Sequence, residues 1–134
     1  MRILVDTGVF SASISRRRRA RFEPQVGLMA GHQLFLAAVT VAELRYGALV
    51  AGWGDQRRRR LEQSIEATTV VPVSDALLTT AAELRLACRQ VGHALHEPVH
   101  ANDLWIAASA VHMGAPLLTG DAVFADVPRL DLHR

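Results

Sequence analysis

The sequence predicts an α/β domain with a central, mainly parallel β-sheet flanked by helices. Three observations predict it. Short apolar runs of strand length alternate with longer segments of helical periodicity along the whole chain. Glycine, proline or a small polar capping residue punctuates most junctions between them. Half of the 134 residues are apolar and 21% are charged, a balance that fills one hydrophobic core and lacks the signature of disorder. Residues 1–134 are therefore read as one domain, with no internal repeat and no linker.

The elements follow in chain order. Arg2 to Val5 is a short apolar run that closes on Asp6, a buried strand delivering a carboxylate at its C-terminal end. Val9 to Ser15 reads as a short helix. Pro24 suits the first turn of a helix ending by Gly31, because its missing N–H is unpaired there anyway. Leu34 to Val39 is the second strand. Thr40-Val41-Ala42-Glu43 opens a helix toward Val50, and Gly52 to Asp55 breaks it. Asp55 caps a further helix through Glu66, with Leu61 and Ile65 on one face. Val70 to Val73 is a strand that Pro72 confines to an edge or interrupts. Ser74 or Asp75 caps a helix carrying apolar Leu77, Leu78, Ala81, Leu84, Cys88 and Val91 and stopped by Gly92. Asn102 caps Asp103 to Met113, with Gly114 just beyond. Leu117 to Thr119 is a strand running into Gly120 and Asp121, and Val127 to Leu132 is a candidate last strand.

Composition removes several function classes. All 15 basic residues are arginine, so neither a lysine-bearing phosphate loop nor Schiff-base chemistry is available. A phosphate-accepting receiver domain also needs a lysine. A haloacid-dehalogenase-like phosphatase needs a second acid two residues after the first, and Gly8 holds that place. A single cysteine, Cys88, excludes an intramolecular disulfide and a thiolate metal cluster and fits a reducing cytoplasm. Apolar runs are far shorter than the ~18 residues of a membrane helix. The early acid at position 6 argues against a signal peptide, so a cytoplasmic location without membrane association is expected.

Four acids stand at element boundaries: Asp6, Glu43, Asp103 and Asp121. In an open α/β sheet, sites form outside the carboxyl ends of the strands, which is where Asp6 and Asp121 fall. Carboxylates a few ångströms apart repel by roughly 1 kcal/mol per pair in water and by about 4 at an effective protein dielectric of 20. Such a cluster needs a cation. With no lysine in the chain, Mg²⁺ or Mn²⁺ is the natural counter-charge, because hard cations take oxygen ligands. A cation held this way activates water and neutralises a phosphodiester, which is nuclease chemistry. Each acid also has a structural reading. Glu43 completes a T-x-x-E capping box with Thr40, Asp103 favours the positive end of its helix, and Asp121 fits a turn. Asp6 has the least structural reason to be where it is.

These residues carry a resemblance. ILVDTGVF, TVAELRYG, NDLWIAASAVHMGAPLLTGD and the following Phe124 together resemble a PIN-domain ribonuclease, and more narrowly the VapC-type toxin of a bacterial toxin–antitoxin pair. The resemblance spans nearly the whole chain. It implies a PIN-like fold over residues 1–134 and a Mg²⁺- or Mn²⁺-dependent endoribonuclease whose catalytic acids are Asp6, Glu43, Asp103 and Asp121. Metal ligation falls to Asp6, Asp103 and Asp121, with Asp6 and Asp103 the principal ligands, while Thr7 and Thr119 match supporting hydroxyl positions. It also implies an RNA substrate, a homodimer, and silencing by a cognate antitoxin protein in a toxin–antitoxin hetero-oligomer. Val123 departs from the pattern, because many relatives carry another acid there.

Nine arginines form two blocks. Arg16, Arg17, Arg18, Arg19 and Arg21 lie beyond the first short helix, in an expected loop with little local acid, and read as contacts to an RNA phosphate backbone. Arg57 to Arg60 read instead as a solvated helix face, with Arg58 and Glu62 paired at i, i+4. His93, His96 and His100 with Glu97 read as a polar loop in preference to a zinc site, since Pro98 breaks the helix that would align them. Trp105 and Tyr46 read as packing residues. The alternative from another class is a PIN-like adaptor that binds RNA or a protein without cutting.

Overall fold

The alternation of apolar side chains in the first strand decides the architecture. In the computed structural model, which describes residues 1–134, β1 (Arg2–Val5) lies between β2 (Gln33–Ala37) and β4 (Leu117–Leu118), and β3 (Thr69–Val71) flanks β2. The order is β3-β2-β1-β4 with every pairing parallel, as expected from the sequence. Ile3 and Val5 point to one face of the sheet and Leu4 to the other. All three are fully buried, so both faces must be covered.

One face packs on α1 (Thr7–Ser13), α3 (Glu23–Gly27), α4 (Ala38–Val50) and α5 (Asp55–Glu66) through Val9, Val26, Leu44 and Leu61. The other packs on α6 (Asp75–Val91) and α7 (Ala101–Met113) through Leu84, Cys88, Ile106 and Ala107. Small residues at Ala107, Ala108 and Ala110, all fully buried, let α7 run through the middle of the molecule. Its first turn therefore reaches the carboxyl edge of the sheet. No helix is long and apolar enough to cross a membrane.

Four details differ from the sequence reading. The arginine run is not a loop: Arg16–Arg19 form a short helix, α2, and Ala20–Phe22 continue it as a 3-10 turn. Arginine is a good helix former, and the side chains of this run stay in solvent, where their repulsion is screened. The T-x-x-E capping box is absent, because α4 starts at Ala38 and places fully buried Thr40 inside its first turn. Asn102 and Asp55 are not caps either; α7 and α5 begin one residue earlier and at Asp55 itself, with no side-chain cap on either. Val127 to Leu132 is no strand. Only Leu132 bridges Leu117, whose N–H donates to the Asp131 carbonyl and whose carbonyl accepts the His133 N–H. Ser74 does cap α6, accepting the Leu77 N–H at 3.1 Å, and Gly92 ends that helix in the left-handed conformation.

Candidate active site

The parallel register puts Val5 beside Leu118, so the residues that follow them, Asp6 and Thr119, leave the sheet side by side. The Asp6 N–H donates to the Leu118 carbonyl at 3.0 Å, extending the ladder one step. Its carboxylate then turns to cap α1, accepting the Val9 N–H at 2.8 Å. Thr119 donates its hydroxyl to the other carboxylate oxygen and accepts the Asp121 N–H at 3.0 Å. One threonine thus ties Asp6 to the loop that carries Asp121. Asp121 in turn accepts the Val123 N–H at 3.0 Å, capping the 3-10 turn Ala122–Phe124.

Glu43 reaches the same place from α4. Thr7 Oγ1 lies 2.8 Å from Glu43 Oε1 and 3.0 Å from Thr40 Oγ1. A hydroxyl has one proton to give, so Thr7 donates to the carboxylate and Thr40 to Thr7. Asp103 enters in the first turn of α7, 3.3 Å from His100 Nδ1. All four acids line one cavity of about 860 Å³ together with Thr7. Thr119 stands just behind it, bonded to Asp6.

Electrostatics agree with the geometry. Asp6 is only 5% exposed, and burial pushes its carboxyl above the ordinary aspartate range. Hydrogen bonds from Thr119 and Val9 pull it back, and the charges of Asp121 and Asp103 push it up again. The acids feel one another without a compensating lysine. No three His, Cys, Asp or Glu side chains close into a cage; the acids line an open cavity instead. The cavity's donors are carboxylate and hydroxyl oxygens, with no thiolate or imidazole among its lining residues. That donor set fits a hard divalent cation that retains some of its waters.

The rim is basic. Arg17, Arg18 and Arg21 line the cavity together with the acids, whereas Arg16 and Arg19 do not, and Arg19 pairs with Glu23 at 3.3 Å. In the second block the expected Arg58–Glu62 pair is not formed. Arg58 takes Asp55 at 2.7 Å, and Glu62 is held by Arg45 of α4 at 2.6 Å. An acid facing a neighbouring helix finds a partner that helical spacing does not reveal. Val123 packs on the core and offers no ligand. The three histidines do not converge: Nδ1 of His93 accepts the Leu95 N–H, leaving its Nε2 to donate to the Ala125 carbonyl, and His96 bonds the His93 carbonyl.

Two contacts at the site escaped the sequence reading. His100 reads there only as part of a polar loop, and its contact with Asp103 goes unread although an H-x-x-D spacing at a helix start signals it. Phe22 lines the cavity and lies against Gly8 and Gly120. Nothing local signals that contact.

Comparisons with known proteins place this geometry. Residues 3–130 match the family model of the PIN domain. Ribonuclease VapC5 of Mycobacterium tuberculosis is 34% identical over 124 residues, covering 91% of this chain and 84% of that protein. Ribonuclease VapC4 of the same organism is 34% identical over 137 residues, covering 98% and 95%. Among solved structures, VapBC-5 from M. tuberculosis, a member of the VapBC family of toxin–antitoxin systems, matches at 31% identity and a TM-score of 0.68, over 99% of this chain and 98% of that one. VapBC2 from Rickettsia felis, bound to a DNA fragment from its promoter, matches over the same shares at a TM-score of 0.79 and 22% identity, which speaks to the fold alone.

Proposed function

The chain belongs to the PIN-domain family, and from that premise we propose that residues 1–134 form one PIN domain acting as the endoribonuclease toxin of a toxin–antitoxin pair, with Mg²⁺ or Mn²⁺ as cofactor. The ribonuclease names of its relatives support the activity, and the toxin–antitoxin structures support an antitoxin partner. None of these similarities favours a non-cleaving adaptor. A homodimer, alone and within the toxin–antitoxin assembly, belongs to the same reading.

The observation that carries the chemistry is the convergence of Asp6, Glu43, Asp103 and Asp121 on one cavity with a basic rim. Asp6, Asp103 and Asp121 are the residues to hold the cation. Bound there, the ion would neutralise the phosphodiester and make water a stronger nucleophile. Glu43, with one oxygen fixed by Thr7, accepts the proton of the attacking water. A bond forms from the water oxygen to phosphorus as the bond to the leaving nucleoside oxygen breaks. Thr119 and the Val9 N–H hold Asp6 in one orientation throughout. Arg17, Arg18 and Arg21 take flanking phosphates, and Arg16 and Arg19 add longer-range attraction for the polyanion.

The test is a metal titration of RNA cleavage by the wild type and by Asp6→Asn and Asp103→Asn. Cleavage that needs Mg²⁺ or Mn²⁺ and falls by at least about a hundredfold in each variant is expected, the size seen for loss of a principal electrostatic group. Full activity in EDTA, or in both variants, overturns the reading.

A further inference from the structure

A second groove, of about 360 Å³, opens out of the acidic cavity and shares Thr7, Gly8, Arg17, Arg18 and Glu43 with it. It runs between α1 and α4 and ends at Trp53, Arg57 and Leu61. Small residues on α4 and at its C-terminal cap, Gly47, Ala48 and Ala51, keep it open, and a side chain at Gly47 would meet nothing within 4 Å. Its charge is one-sided. Arg17 and Arg57 form no ion pair, Arg18 bonds only the Ser11 hydroxyl at 3.1 Å, and Glu43 is the one carboxylate in the groove. The acids near Arg57 are already engaged, Asp55 by Arg58 and Glu62 by Arg45. Arg57 instead lies over the Trp53 ring, its guanidinium carbon 4.0 Å from the ring centroid. Half-buried Trp53 is packed on the core beneath it.

We propose that this groove is the track for the single-stranded RNA on one side of the cleavage point, and that the Trp53–Arg57 stack is a distal base-binding subsite. The inference rests on the nuclease reading above. Unpaired guanidiniums along a channel leading to a phosphodiester-cleaving cavity match the spaced negative charge of a nucleic-acid backbone. A guanidinium placed over an indole leaves its outer side open to a nucleobase, and single-stranded RNA is recognised by stacking on aromatic rings and guanidinium planes. This recess of about 360 Å³ must then take one strand in preference to a duplex.

Binding of a fluorescent single-stranded oligouridylate is measured in EDTA across a salt series, with the same strand annealed to oligoadenylate as competitor. Arg57→Gln and Gly47→Leu are compared with the wild type. Gly47→Leu fills the groove while replacing a helical glycine with a better helix former, so it should melt no lower than the parent. Each variant should weaken binding about tenfold, in the range of one lost base stack. Arg57→Gln should also flatten the slope of log K against log salt, but by less than the roughly 0.7 of a full phosphate contact, because Arg57 acts on a base. Trp53→Phe, which keeps the packing, should weaken binding less than Arg57→Gln. Wild-type affinity in both Arg57→Gln and Gly47→Leu, no binding of the single strand, or equal competition by the duplex overturns the proposal; unchanged RNA affinity assigns the groove to a protein segment. Cleavage in Mg²⁺ is scored separately. A wild type that cleaves without any Arg57 or Gly47 effect loses the groove alone, and one that binds through the groove without cleaving loses the nuclease reading alone.

Discussion

Thr119 donates its hydroxyl to Asp6 across 113 positions of the chain, and the same oxygen accepts the backbone N–H of Asp121. The pairing follows from the parallel register of β1 and β4, which ends both strands at one level. Replacing Thr119 with valine keeps the shape and removes both bonds. Losing a hydrogen bond to a charged group should cost about 1.5–3 kcal/mol, read as a lower urea midpoint with an unchanged m-value. Cleavage should fall with it, because Asp6 and the Asp121 loop lose their common anchor.

Burial sets the sign of the pH dependence at Asp6. Its carboxyl is held above the unfolded value of 3.8, so the native state keeps this proton to higher pH than the unfolded chain. Its contribution to stability is therefore greatest below the unfolded value, declines as pH rises toward the folded one, and stays unfavourable beyond it. Asp6→Asn, which can still cap α1, should melt at or above the wild type at pH 7 in EDTA, and the difference should vanish near pH 3. Mg²⁺ should then raise the wild-type melting temperature and leave Asp6→Asn unmoved.

Gly120 is required by its neighbour. A Cβ there would lie 2.5 Å from two carbons of the Phe22 ring, so Gly120→Ala must displace the ring and with it the segment carrying Arg21. Overpacking of this kind costs typically 1–3 kcal/mol. In a Phe22→Ala background the same glycine substitution should be nearly neutral. A double-mutant cycle on urea unfolding measures that coupling.

The Arg45–Glu62 pair joins α4 to α5 through three hydrogen bonds, yet both side chains are well exposed. Solvent screening should hold its worth below about 1 kcal/mol. Arg45→Ala should shift the urea midpoint only slightly, and added salt should shrink even that difference.

What could be read from the sequence was what local pattern controls. Alternating strands and helices gave the parallel α/β fold, and Ile3, Leu4 and Val5 divide between its two cores as period-2 alternation demands. That Asp6, Asp103 and Asp121 sit at element ends was visible without coordinates; Glu43, expected in a first turn, lies in the second turn of α4, and the structure gathers all four on one cavity. Features set by contacts between distant elements were not visible. Glu62 had a helical partner available in Arg58, but α4 presents Arg45 at shorter range. Thr40 and Glu43 have capping-box spacing, yet α4 begins two residues before Thr40, and the pair is organised by Thr7 of α1. Phe22 meets Gly120 only after the sheet has formed.

The most direct measurement is calorimetric titration of Mn²⁺ into the full chain, its Asp6→Asn and Asp103→Asn variants, and Arg45→Ala as a folded control. Saturable binding by the wild type and the control, lost in both aspartate variants while their melting curves stay cooperative, is the predicted result. Equal Mn²⁺ binding by all four proteins, or RNA cleavage undiminished in EDTA, would contradict it.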